Sequence, residues 1–137
     1  MNTLSVPAAG GTSSRTHWAG LVMSGLAIAF LLFDATIKLV PMTIVTETMT
    51  ALGYPPGLER GLGVLILVCV LLYAVPRTAV LGAILLTGLF GGAMATHLRV
   101  GSPLFSHLLF GLYLGLLVWG GLYLRDARLR ALIPFRL

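Results

Sequence analysis

Two apolar stretches, residues 62–75 and 79–95, carry no charged side chain on any face, and only Pro76-Arg77-Thr78 separates them. A helix that is hydrophobic all round must be buried in a large protein or lie in lipid. With 137 residues there is room for one domain, and a soluble bundle would need polar outer faces that these segments lack. Two further segments, 18–40 and 103–124, are nearly as free of charge, and about 20 residues suffice to cross a hydrocarbon core. Charged residues make up 9% of the chain, against roughly 25% in soluble domains. The expected fold is all-α, an integral membrane four-helix bundle.

Punctuation sets the helix limits. The first helix, 18–40, should stop before Pro41, because the residue preceding a proline is biased out of the helical region. Met42, Val45, Met49 and Leu52 then recur at three- and four-residue steps among Thr43, Thr46, Glu47, Thr48 and Thr50. That pattern predicts a short amphipathic surface helix between helices 1 and 2. Gly53-Tyr54-Pro55-Pro56 feeds a second long helix over 57–75, and a three-residue turn forces the third, 78–97, to return antiparallel. The fourth is expected over 103–124. Residues 1–17 lack apolar periodicity and read as a disordered N-terminal tail. Ala27-Ile28-Ala29 resembles a signal-peptide cleavage site, but the apolar run continues well past a signal peptide's usual length.

The basic residues fix an expected orientation. Arg15, Arg77 and the tail residues Arg125, Arg128, Arg130 and Arg136 fall on one side, and Lys38, Arg60 and Arg99 on the other. By the positive-inside rule both termini are expected to be cytoplasmic, with 125–137 as a basic cytoplasmic tail; the expected location is a bacterial cytoplasmic membrane. The net charge of +5 makes no clustered stripe, so no nucleic acid partner is expected. The lone Cys69 permits no intramolecular disulfide relay. Small residues recur four apart at Gly20 and Ser24, Gly57 and Gly61, Gly88 and Gly92, and Gly111 and Gly115. These faces suit close helix approach within the bundle or across a homodimer or larger membrane complex.

The ionisable residues inside the apolar segments converge on the outer end. Asp34 and Lys38 lie in the second half of the first helix and Glu59 in the first turn of the second. Thr96, His97 and Arg99 end the third, and His107 opens the fourth. An acid deep in a membrane helix costs about 2.5–3.5 kcal/mol on insertion scales and normally faces the bundle interior. Asp34 and Lys38 are spaced for an i,i+4 ion pair with the acid N-terminal, the better orientation. Glu59 is expected to turn inward against His97 or Lys38, with neighbouring Arg60 outward. Asp34, Lys38, Glu59, His97, Arg99 and His107 are therefore the candidate ligand-binding residues. The spacing lacks the paired ligands of a metal motif. Ser102 and Ser106 carry no nucleophile signature and read as helix caps. Tyr54, Tyr113 and Trp119 read as interface anchors or packing aromatics. No autonomous catalytic motif or redox centre is visible, and whether the chain is an enzyme is left open.

The Asp34…Lys38 segment, Ala51-Leu52-Gly53-Tyr54-Pro55, Leu81-Gly82-Ala83 and the run from Gly92-Ala93 through Thr96-His97-Leu98-Arg99-Val100-Gly101-Ser102-Pro103 together resemble the DoxX-like family of small four-helix membrane proteins. The resemblance implies a four-helix bundle. It also points to the quinone-linked sulfur oxidation and membrane oxidoreductase complexes with which relatives named for DoxD and DoxX are associated, while one animal branch assists receptor assembly. Three functions remain in play. The first is binding of a small amphiphile such as a quinone in an outer-half polar pocket, as a subunit of a membrane oxidoreductase. The second is assembly or scaffolding of a larger membrane complex, and the third is a small transporter.

Overall fold

A computed structural model describes residues 14–40 and 42–133 of the chain. Six α-helices follow one another: α1 (Ser14–Leu39), α2 (Thr43–Ala51), α3 (Leu58–Ala74), α4 (Ala79–Arg99), α5 (Phe110–Arg125) and α6 (Ala127–Leu132). A π-helical turn, Leu104–Leu108, precedes α5. Most of the expected N-terminal tail lies outside the described residues, but Ser14–His17 already belong to α1. Once an apolar segment has nucleated a helix, each added residue gains a hydrogen bond at little extra cost. The basic tail after α5 likewise includes the short helix α6. Asp126 caps it, accepting from the backbone N–H of Arg128 at 2.9 Å and of Leu129 at 3.4 Å.

The four long helices form a closed ring in which α1 packs on α3 and α5, and α4 on the same two. Short connections make every neighbouring pair antiparallel. α1, α4 and the segment Leu104–Arg125 are each long and apolar enough to cross a membrane. α3 has 17 residues, or about 25 Å at 1.5 Å per residue, and packs between α1 and α4. Large apolar side chains stay exposed on all four, among them Val22, Leu26 and Phe33 of α1, Val64 and Leu71 of α3, Leu81 and Ile84 of α4, and Leu116 of α5. Apolar surface on that scale is not left to water. The fold is that of an integral membrane protein with its outer faces in lipid.

With the end where α1 begins and α5 finishes labelled the inner end, for position along the bundle alone, the inner half is tightly filled. Tyr73, Leu86, Val118 and Leu122 are fully buried there. The Tyr73 hydroxyl donates to the carbonyl of Val118 at 2.7 Å, so Ser24 must supply the proton in the 2.9 Å bond between the Ser24 and Tyr73 hydroxyls. This chain ties α1, α3 and α5 through one residue and leaves no polar group of the three unsatisfied. Helix approach is closest here as well. A Cβ on Gly121 would strike Ser24 Oγ, and one on Gly82 would strike the backbone of Tyr73. Gly20 faces the carbonyl of Gly121 in the same contact, as its pairing with Ser24 predicts. Gly57, Gly61, Gly88 and Gly92 behave differently, with open space beside each; these spacings do not mark a helix contact within the chain.

Candidate functional site

The outer half of the same ring is hollow. A cavity of about 1000 Å³ lies between α1, α3, α4 and the start of α5. Its apolar walls include Phe30, Leu31 and Ile37 of α1, Leu62, Leu65 and Ile66 of α3, Leu85, Leu89 and Phe90 of α4, and Phe110 and Leu114 of α5. Gly88 and Gly92 contribute wall without side chain, which widens the space on the α4 side. α2 roofs it: Val45 and Met49 are buried, and Ile44, Thr48 and Leu52 also face the space. The amphipathic stripe read from the sequence thus covers a cavity in its own bundle.

Polar groups enter this space from three helices and two connections. Asp34 and Lys38 both line it and form an ion pair one helical turn apart, with side chains 26% and 18% exposed. Pairing satisfies each charge where an isolated one would be expensive. The Thr96 hydroxyl donates to the carbonyl of Gly92 at 2.9 Å. Its oxygen is then the acceptor for the Tyr54 hydroxyl at 2.8 Å, which joins the connection before α3 to the end of α4. Tyr54, expected as an interface anchor or packing aromatic, is thereby also a cavity residue, lining the space with Thr96.

The two histidines meet at the mouth. Their rings pack edge to face with centroids 5.7 Å apart. Each is held by a serine, His97 Nδ1 to Ser102 Oγ at 2.9 Å and His107 Nδ1 to Ser106 Oγ at 2.7 Å. Ser102 and Ser106 therefore orient imidazoles and do not cap the following helix by side-chain hydrogen bonds. Where the serine hydroxyl donates, Nδ1 accepts and Nε2 carries the proton, presenting a donor. His107 reaches this position because Leu104–Leu108 forms a π-helical turn: the N–H groups of Leu108 and Leu109 bond to the carbonyls five residues back, Pro103 and Leu104, at 3.1 and 2.9 Å. The fourth helix, expected over 103–124, thus opens with a π-helical turn. The extra residue per turn re-aims the side chains it carries.

Glu59 and Arg99 do not line the cavity. Glu59 does turn inward and is 9% exposed while Arg60 faces out. Its partners, however, are the Gly57 N–H at 3.1 Å and the Thr46 hydroxyl at 3.5 Å, and neither His97 nor Lys38 bonds to it. An acid in the first turn finds unsatisfied backbone donors close at hand, and these win over a more distant cation. Arg99 folds over Gly53, whose φ is +86°, and donates to the carbonyl of Leu52 at 2.6 Å. The two residues expected in the site instead latch its roof, one on each side of α2. Among the described residues no three His, Cys, Asp or Glu side chains group as a metal site would require.

The arrangement offers an apolar volume able to hold a ring and part of a chain, with hydrogen-bond donors and one ion pair gathered at its outer end. A family model for the DoxX-like family matches residues 22–121. The chain belongs to the DoxX-like family. In this DoxX-like protein the matched residues run from the third turn of α1 to within α5, and so take in the whole cavity. No curated protein and no solved structure matches the chain.

Proposed function

We propose that this DoxX-like protein binds a small amphiphile with a hydrogen-bond-accepting ring, a quinone being the best-fitting class, in the outer half of its bundle. The observation that carries the proposal is the convergence of His97, His107, Tyr54–Thr96 and the Asp34–Lys38 pair on one apolar cavity. Apolar walls with a few convergent polar groups are the usual composition of a ligand site. A histidine Nε2–H meets one ring carbonyl, and the ion pair supplies a charge-balanced polar patch below it. In this reading the protein serves as a subunit of a membrane oxidoreductase whose redox centre is held by a partner. Both termini are assigned to the cytoplasmic side, because Arg15, Arg77, Arg125, Arg128 and Arg130 gather at that end. The packed layer of Tyr73, Leu86, Val118 and Leu122 below the cavity favours a binding site over a carrier path.

Thermal unfolding in detergent tests this reading. A short-chain quinone should raise Tm saturably, and the shift should fall sharply in a His97→Ala, His107→Ala double variant. An equal shift from an isoprenoid alcohol of the same length, or none from the quinone, would refute it.

A further inference from the structure

A second, smaller cavity lies at the opposite end of the bundle, about 430 Å³ in volume, where the start of α1, the α3–α4 turn and the α5–α6 junction meet. Arg125, Arg128 and His17 line it, together with Asp126. Arg125 is held there without an ion-pair partner among the described residues. Its guanidinium stacks over the Tyr73 ring at 5.2 Å, and Nη2 makes one long bond, 3.5 Å, to the Tyr73 carbonyl. Its Nε is buried without any hydrogen-bond partner. Asp126 adjoins Arg125 in sequence and lines the same cavity, with its Oδ1 accepting from the backbone N–H groups of Arg128 and Leu129, so two guanidinium groups face one carboxylate there.

A half-buried guanidinium with five donors and one weak acceptor is under-satisfied, and planar donors of this kind match oxyanions best. Trp18, 65% exposed beside His17, marks the level of a membrane–water interface. We infer that this inner-end cavity is an anion site for a phosphate group, supplied by the headgroup of an anionic phospholipid. Arg125 is its anchor, with Arg128 and His17 at the rim. The apolar lining from Leu21, Pro76, Ala79 and Leu122 then meets the glycerol and upper acyl chain. The site is separate from the outer cavity and does not depend on what binds there.

The test is native mass spectrometry of the full chain in detergent, titrated with short-chain phosphatidylglycerol, phosphatidylcholine or inorganic phosphate. Phosphatidylglycerol should bind at least about tenfold more tightly than phosphatidylcholine, a preference that charge-assisted bonds readily supply. Arg125→Gln should abolish the preference and Arg128→Gln reduce it about threefold. Because Arg125 also packs on Tyr73, Arg128→Gln combined with His17→Gln carries the test should Arg125→Gln fail to fold. Equal binding of the two lipids, or a preference unchanged in these variants, would overturn the proposal. Displacement of phosphatidylglycerol by millimolar inorganic phosphate would assign the site to free phosphate and overturn the lipid source.

Discussion

The two halves of this bundle are built from the same four helices and nearly the same apolar residues, yet one is solid and the other hollow. In the inner half, Gly20, Gly82 and Gly121 bring backbones together and Tyr73 fills the centre with its hydroxyl doubly bonded. In the outer half, Gly88 and Gly92 face open space, and the ring is propped apart around a cavity and roofed by α2. Glycine therefore performs two tasks: it closes a contact where a facing backbone is present, as Gly63 and Gly111 also do at the rim of the outer half, and enlarges a wall where none is, as at Gly88 and Gly92. Sequence spacing alone does not distinguish these cases.

The sharpest way to break this contrast is to add one methyl at each end. Gly82→Ala places Cβ against the backbone of Tyr73, which cannot move aside as a side chain tip would. It should cost about 3 kcal/mol or more, as overpacking does at its severe end, and thermal unfolding in detergent should show lost or strongly reduced cooperativity. Gly88→Ala, with nothing within 4 Å of its Cβ, should leave Tm within about a degree of the parent or raise it, since Ala is the better helix former by roughly 1 kcal/mol. Comparable losses in the two variants would erase the distinction between the halves.

Tyr73→Phe probes the inner half without changing its volume. It removes the donor to Val118 and the acceptor for Ser24. Interhelical hydrogen bonds in membrane proteins average about 0.6 kcal/mol and reach about 2, so a loss of about 1–2 kcal/mol is expected from two bonds, read in the same unfolding assay. A loss below about 0.3 kcal/mol would mean that packing alone closes this layer.

A small loss of stability is expected at the roof. Arg99→Gln removes a charged donor to the Leu52 carbonyl from an exposed position, and exposed bonds of this kind contribute roughly 1 kcal/mol or less. Its signature should be local: hydrogen exchange over Thr43–Ala51 should accelerate while α3 and α4 keep their protection. Uniform acceleration across the bundle would show that the roof is not an independent element.

Much of this architecture was legible in the sequence because lipid imposes simple rules. Charge-free segments, prolines and a three-residue turn define the helices. The scarcity of ionisable residues made their shared end visible, and the i,i+4 spacing named the Asp34–Lys38 pair. What escaped were contacts decided by competition at helix ends. Glu59 chose backbone donors beside it, and Arg99 chose a carbonyl exposed by the turn at Gly53. A glutamate in a first turn just after a glycine is a signal for the former. Nothing in the spacing announced the π-helical turn that carries His107 or the reach of Tyr54 to Thr96. Tyr73 was readable in one respect, since a phenol inside a charge-free run must find partners, but which helices supplied them was a property of the packed ring.

The claim that the hollow half is a binding site is tested most directly by photolabelling with an azido-quinone and mapping the adducts by peptide mass spectrometry. Labels should saturate, compete with unlabelled quinone, and fall on outer-half wall residues such as Phe30, Met49, Leu89, Met94 and Phe110. Labels scattered over the lipid-facing surfaces of all four helices, undiminished by competitor, would contradict it.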